Sequence, residues 1–153
     1  MPAPKKSPGM LDGSRMSHLV GYAASRAAIT LRKVFTQNME PLDLKVVEFS
    51  ILMLVAQNEQ VNQKQLGETL DVSAPNMAVT LDRMVERGWV ERVCGTTDRR
   101  AQLIHLTTAG QALVHRAEKI AATMEAPTLS VLSPAEQALL IELLHKVARG
   151  PER

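Results

Sequence analysis

An amphipathic segment that follows Ser73 carries side chains with base-reading chemistry on one predicted helix face. Its apolar side chains recur with helical spacing and define the inward face: Met77, Leu81, Met84 and Val85. The outward face carries Pro75, Asn76, Val79, Arg83 and Glu86, with Thr80 at its margin. An asparagine amide can bond to an adenine edge, a valine can contact a thymine methyl, and an arginine can bind phosphate or guanine. Helical spacing alone leaves a second interpretation open, namely a solvated face with one exposed valine.

A basic loop at residues 95–100 favours DNA binding. It lies between two segments, 89–94 and 101–106, whose alternating residues predict the strands of a hairpin. An arginine at a projecting hairpin tip can enter a DNA minor groove, where the potential is most negative. Arg99 and Arg100 lie at this tip. Asp98 can hold Arg100 in place through a charge-assisted hydrogen bond.

The rest of the chain predicts the helices that must carry these two features. Helices are expected at about 14–38, 43–58, 62–70, 73–87, 107–125 and 133–147. Asp43 is the expected cap of the second helix, and Asn62–Gln65 forms a capping box for the third. Ser73 is the expected cap of the helix that Gly88 ends. The fold class is therefore mainly α with a small β-hairpin wing: a winged helix-turn-helix flanked by N- and C-terminal helices.

Composition and charge narrow the class of protein further. The 153 residues hold 18 Lys and Arg against 16 Asp and Glu, so the net charge is +2 and nucleic-acid binding must depend on where charges lie. Only 3% of the residues are aromatic, which favours an aliphatic, helical core. One cysteine fits a reducing compartment, and no apolar run is long enough to span a bilayer. The N-terminal stretch also lacks the apolar region of a signal peptide, so a cytoplasmic protein without membrane contact is expected.

Catalytic and metal sites are not expected. The chain lacks a phosphate loop, a Gly-x-Ser-x-Gly motif and a His-Glu-x-x-His motif, so no enzyme activity is predicted. The 4 histidines form no i, i+3 or i, i+4 pair, so neither a metal nor a cofactor is expected. Cys94, on a predicted strand, is interpreted as a small packing residue.

Residues 72–92 and 97–110 resemble the MarR family of bacterial transcriptional regulators. The first stretch, VSAPNMAVTLDRMVERGWVER, is similar to the family's recognition helix and first wing strand. The second, TDRRAQLIHLTTAG, is similar to its wing, with Asp-x-Arg, then Leu-Thr and a glycine. The resemblance implies a homodimer that reads the two halves of a pseudo-palindromic, double-stranded operator. It also implies that Asp98 braces the wing and that Arg100 enters the minor groove.

The helix face, the hairpin and the resemblance together give the expected DNA-binding residues: Ser73, Pro75, Asn76, Val79, Thr80, Arg83, Thr97, Asp98, Arg99 and Arg100. Several family members have arginine where this chain has Val79, so a different base preference is expected, toward A·T at that step. A winged-helix module that binds proteins and not DNA is the alternative. It stays open because residues 61–110 contain six Lys and Arg and six Asp and Glu, and are therefore neutral in sum.

Prolines and glycines predict a disordered tail at 1–13. The resemblance implies helical dimerisation regions at 14–40 and 108–150 around a winged helix-turn-helix at 41–107. It further implies a repressor released by a small ligand, often an aromatic or phenolic acid.

Tyr22 and Arg26 are one helical turn apart and can clamp a carboxylated ring, although an exposed polar face is the alternative. The candidate ligand-binding residues are Arg15, His18, Tyr22, Arg26, Phe49 and Met53, of which the last two also fit a core role.

Overall fold

The computed structural model, which describes residues 9–151, is mainly helical and contains one β-hairpin. The elements in chain order are α1 (Val20–Met39), α2 (Val46–Gln57), α3 (Gln63–Leu70), α4 (Ala74–Glu86), β1 (Val90–Cys94), β2 (Gln102–Leu106), α5 (Thr108–Met124), α6 (Ala126–Leu129) and α7 (Pro134–Arg149). The predicted fold class is confirmed. Most of the predicted tail, residues 1–8, lies outside the described residues. None of the helices within 9–151 combines the length and hydrophobicity that crossing a bilayer requires.

The first helix begins later than predicted. A 3-10 turn occupies Ser14–Met16, and α1 starts only at Val20 because Leu19 has an extended backbone. The predicted Asp43 cap of α2 is also wrong. Asp43 adopts a left-handed conformation, with φ +47°, at the end of a 3-10 turn. The carboxylate of Glu48 instead accepts the N–H of Lys45 at 2.9 Å, which satisfies a backbone donor at the start of α2.

The helix-turn-helix follows the sequence signals closely. Asn62 and Gln65 form the predicted capping box, with reciprocal bonds of 2.8 and 2.9 Å. Asp71 ends α3 in a left-handed conformation, and a Cβ at Gly67 would lie only 3.0 Å from the carbonyl oxygen of Val72. The small residue therefore lets the turn fold back against α3. Ser73 is the N-cap residue of α4, but in the described chain its hydroxyl makes no capping hydrogen bond.

The wing is a two-stranded antiparallel hairpin. Val90 pairs with Leu106 and Cys94 with Gln102, so each strand starts one residue later than predicted. Gly88, with φ +74°, ends α4 as expected. The N–H of Ile104 donates to the carbonyl of Val61 at 2.7 Å, which fixes the hairpin to the loop between α2 and α3.

The core is aliphatic and lies where α2, α3, α4, α5 and the hairpin meet. Its most deeply buried large apolar side chains are Met39, Ile51, Leu52, Leu66, Met77, Leu81, Met84, Ile104, Val90 and Val114. In contrast, α7 buries none of its residues against the rest of the described chain. Its large apolar side chains are 41–66% exposed: Leu139, Leu140, Ile141, Leu143, Leu144 and Val147. The isolated chain therefore leaves one apolar helix face uncovered.

Gly110→Ala tests the contact between α5 and the wing. A Cβ at Gly110 would lie 1.9 Å from the carbonyl oxygen of Trp89, a backbone atom that cannot move without disturbing β1. We expect a loss of about 1–3 kcal/mol of stability, measured as a lower Tm in thermal unfolding. Gly21→Ala is the matched control, because no other part of the described chain lies within 4 Å of an added Cβ there. Its Tm should be unchanged or higher. An unchanged Tm for Gly110→Ala would contradict this account of the packing.

Candidate nucleic-acid interface

Helix α4 presents the predicted base-reading face to solvent. Ser73, Pro75, Asn76 and Val79 are all exposed, and Val79 is 66% accessible despite being apolar. On the opposite side, Met77, Leu81 and Met84 are fully buried. The first turns of α4 therefore offer a hydroxyl, an amide and an isopropyl group on one accessible surface, a combination suited to base edges in a major groove.

Thr80 does not belong to this surface. It is buried, and its hydroxyl donates to the carbonyl of Asn76 at 2.9 Å, within the same helix. Thr80 lies at the predicted margin of the outward face, on the buried side of that margin. A DNA contact by Thr80 stays a prediction that its burial does not support.

Arg83 forms an ion pair with a buried acid. Its Nη2 lies 3.0 Å from Oε1 of Glu48, whose side chain is 0% exposed. The Arg83 side chain is only 41% exposed, so it does not project freely from the outward face as predicted. Within the described chain, Oε1 of Glu48 and Nε of Arg83 have no hydrogen-bond partner. The contact is therefore an ion pair and not a saturated hydrogen-bond network.

Asp98 braces the wing loop differently from the prediction. Its Oδ1 accepts the backbone N–H of Arg100 at 2.9 Å, where a bond to the guanidinium was expected. The loop is closed further by two backbone hydrogen bonds, from Gly95 to Ala101 and from Ala101 to Asp98. Thr97, Arg99 and Arg100 are exposed. Asp98 thus shapes the backbone at the tip and leaves the arginine side chain free to turn outward.

The other cations of this segment are paired with acids. Arg92 binds Asp82 at 2.8 Å, which ties β1 to α4. Arg87 binds the carboxylate of Asp43 at 3.2 Å and lies 3.8 Å above the ring of Trp89. Lys64 forms a long, exposed pair with Glu68. Among the described residues, Arg99 and Arg100 are therefore the cations of residues 61–110 that form no ion pair.

The candidate ligand residues separate into two groups. Phe49 packs edge-on against Phe35, with ring centroids 5.4 Å apart, and Met53 is partly buried against the core. Both side chains therefore have the core role that the sequence left open. Tyr22 is half-buried, whereas Arg15, His18 and Arg26 are exposed on the N-terminal part of the chain. Cys94 is exposed, so its interpretation as a packing residue is wrong.

Sequence reasoning missed the acids that hold these arginines. Glu48 is the one acid in the otherwise apolar run from Val46 to Ala56, interrupted only by Ser50, and a charge in such a run signals a buried partner. Asp82 carries no comparable signal, because an acid on an exposed helix face needs no partner.

Helix α4 has an exposed base-reading face, a tight turn precedes it and a basic hairpin follows it. This combination defines a winged helix-turn-helix DNA-binding protein. A family model described as "MarR family" matches residues 42–101. The transcriptional repressor CouR, in a structure bound to a 23-mer DNA duplex, is 31% identical, with a TM-score of 0.83 over 91% of this chain and 99% of that one. The chain belongs to the MarR family of transcriptional regulators.

Two further comparisons cover most of the chain. The multiple antibiotic resistance protein MarR of Escherichia coli K12 is 28% identical over 134 residues, which is 87% of this chain and 88% of that protein. A structure of CouR bound to p-coumaroyl-CoA has a TM-score of 0.83 at 29% identity and covers 93% of this chain and 100% of that one.

The role of Asp98 can be tested by two substitutions. Asp98→Asn keeps an oxygen that accepts the Arg100 N–H and removes a negative charge beside the DNA, so binding should be equal or tighter. Asp98→Ala removes the acceptor and should weaken DNA binding by about fivefold or more, since a lost hydrogen bond is worth about 1 kcal/mol. Fluorescence anisotropy with a labelled duplex measures both. Equal losses for the two variants would show that the carboxylate charge matters, and not the backbone bond.

Proposed function

We propose that this chain is a dimeric, sequence-specific repressor that binds pseudo-palindromic operator DNA and is released by a small anionic aromatic effector. The observation that carries DNA binding is the exposed face of α4 combined with two wing-tip arginines that form no ion pair with any described residue. Ser73, Pro75, Asn76 and Val79 would contact the major groove, and Thr97, Arg99 and Arg100 the backbone and minor groove. The structure of CouR bound to a DNA duplex supports the same use of this fold.

The uncovered apolar surface supports assembly with a second copy. It comprises the exposed side chains of α7 together with Met10, Leu11, Met16, Leu19 and Val20 near the N-terminus. So many exposed large apolar side chains are unusual for a soluble monomer and favour an interaction site. We therefore assign 14–40 and 108–150 to dimerisation and 41–107 to DNA binding. Two-fold symmetry would then place the two α4 helices about one DNA turn apart.

The salt dependence of binding tests this proposal. If only Arg99 and Arg100 of each protomer neutralise phosphates, four contacts in a dimer give a log–log slope of about −3.6; adding Lys64 gives about −5. If every Lys and Arg of residues 61–110 took part, the slope would be about −11. Anisotropy titrations between 50 and 200 mM salt, using a duplex enriched from a random pool, measure the slope.

Arg100→Ala should make this slope less steep by about 1.8, because one phosphate contact is lost in each protomer. Arg116→Ala, which removes an exposed arginine on α5, is the matched control and should leave the slope unchanged. A wild-type protein that enriches no duplex, or binds it no better than a scrambled one, would support the winged-helix protein-interaction module instead.

The charge on α1 supports an anionic effector. Residues 13–39 contain Arg15, Arg26, Arg32 and Lys33 and no Asp or Glu. Tyr22 lies one turn before Arg26, so a phenol and a guanidinium can flank a carboxylated or thioester-linked aromatic ring. CouR, described as bound to p-coumaroyl-CoA, provides a relative with an anionic aromatic ligand.

Benzoate, p-coumarate and p-coumaroyl-CoA are the probes for this effector class. One of them should raise the Tm, since a ligand that binds only the folded protein stabilises it, and should release DNA. Arg26→Ala should abolish the Tm shift. Arg32→Ala removes the same charge about 120° around the helix and should keep the shift. No Tm change with any probe would remove this effector class and leave DNA binding untouched.

A further inference from the structure

Glu48 is a buried carboxylate that lies outside the proposed DNA-binding surface. Its side chain is 0% exposed although it lies in the first turn of α2, where a carboxylate normally reaches water. Taking a charged group out of water costs free energy unless another charge or a hydrogen bond compensates. The position of Glu48 therefore needs an explanation beyond the capping of α2.

The two oxygens of Glu48 face different elements. Oε2 accepts the N–H of Lys45 and caps its own helix, whereas Oε1 lies 3.0 Å from Nη2 of Arg83 on α4. Arg83 follows Asn76 by seven residues and Val79 by four, so the three lie along one side of α4. The buried Glu48 thus holds the Arg83 guanidinium from the core side of the α4 surface that would contact bases.

This ion pair is poorly suited to a purely stabilising role. Oε1 and Nε lack hydrogen-bond partners among the described residues, so the two groups do not fully recover their lost hydration. Buried ion pairs of this kind add little stability compared with apolar packing, but they can fix one arrangement of the elements that carry them. Here the elements are the central helix α2 and the recognition helix α4.

We propose that Glu48 is a positioning residue for base recognition: by holding Arg83 it fixes the orientation in which α4 presents Asn76 and Val79 to the DNA. The inference rests on the proposed function. It differs from a direct role of Arg83 as a phosphate or guanine ligand, because a ligand would act without Glu48 and would contribute to the salt dependence. A second, more exposed pair between Asp43 and Arg87 holds the end of α4.

The experiment compares Glu48→Gln, Arg83→Gln and the double variant in full-length protein. Glutamine at 48 can still accept the Lys45 N–H, and the two glutamines form a neutral, hydrogen-bonding pair. Glu48→Gln leaves the half-exposed Arg83 guanidinium without its acid, and Arg83→Gln leaves the buried Glu48 carboxylate unpaired. Each single variant should lower discrimination between the enriched and a scrambled duplex by at least about tenfold, the size of a lost base contact. The double variant should recover most of this loss, with the wild-type salt slope.

Glu142→Gln is the matched control, because it makes the same substitution in an exposed pair with Lys146 on α7. It should change discrimination less than about twofold, as exposed pairs contribute little. If both single variants fail to fold, the double variant is compared with wild type: discrimination within about twofold at an unchanged slope supports the positioning role, and a slope less steep by about 1.8 overturns it.

Two results would overturn the positioning role. One is a double variant that binds no better than Arg83→Gln, with a slope less steep by about 1.8, which identifies Arg83 as a DNA ligand in each protomer. The other is a Glu48→Gln protein that discriminates as well as wild type. A wild-type protein that discriminates no duplex would instead overturn the proposed function, and the positioning role with it.

Discussion

The DNA-binding part of this chain has no surplus of positive charge, and this constraint governs its structure. Six acids and six bases in residues 61–110 must both hold the fold together and meet a polyanion. In the structure the bases fall into two groups according to where they lie. Arginines on α4 and β1 bind acids of the protein, whereas those at the wing tip stay unpaired in the described chain. Net charge therefore says little about binding here, because the charges are separated in space.

The first turn of α2 connects the two ends of the molecule. Phe49 packs its ring against Phe35 of α1, and the preceding residue, Glu48, binds Arg83 of α4. Adjacent side chains of one rigid turn thus contact the helix assigned to dimerisation and the helix assigned to base reading. Packed side chains and ion pairs of this kind can carry coupling between distant sites. The route is short, since one helical turn supplies both contacts.

The sequence predicted the elements better than the contacts between them. The capping box at Asn62, the glycine at 88 and the alternating wing strands are local signals, so they can be recognised without knowledge of the tertiary structure. The site is different. The burial of Thr80 depends on tertiary packing, and the pairing of Arg83 depends on α2, which lies some 30 residues earlier in the chain and has no fixed relation to α4 until the core forms.

The neutral net charge of residues 61–110 affects the specificity of DNA binding. Non-specific affinity comes almost entirely from phosphate neutralisation, so a protein with few unpaired cations binds random DNA weakly. Its operator affinity must then depend more on base contacts from the exposed face of α4, where Asn76 and Val79 offer one amide and one apolar group. Such short side chains reach base edges only if the helix backbone lies close to the groove and at the correct angle. The orientation of α4 therefore matters most for specificity. Its buried face fixes it in the core, and the pairs of Arg83 with Glu48 and of Arg87 with Asp43 fix it further.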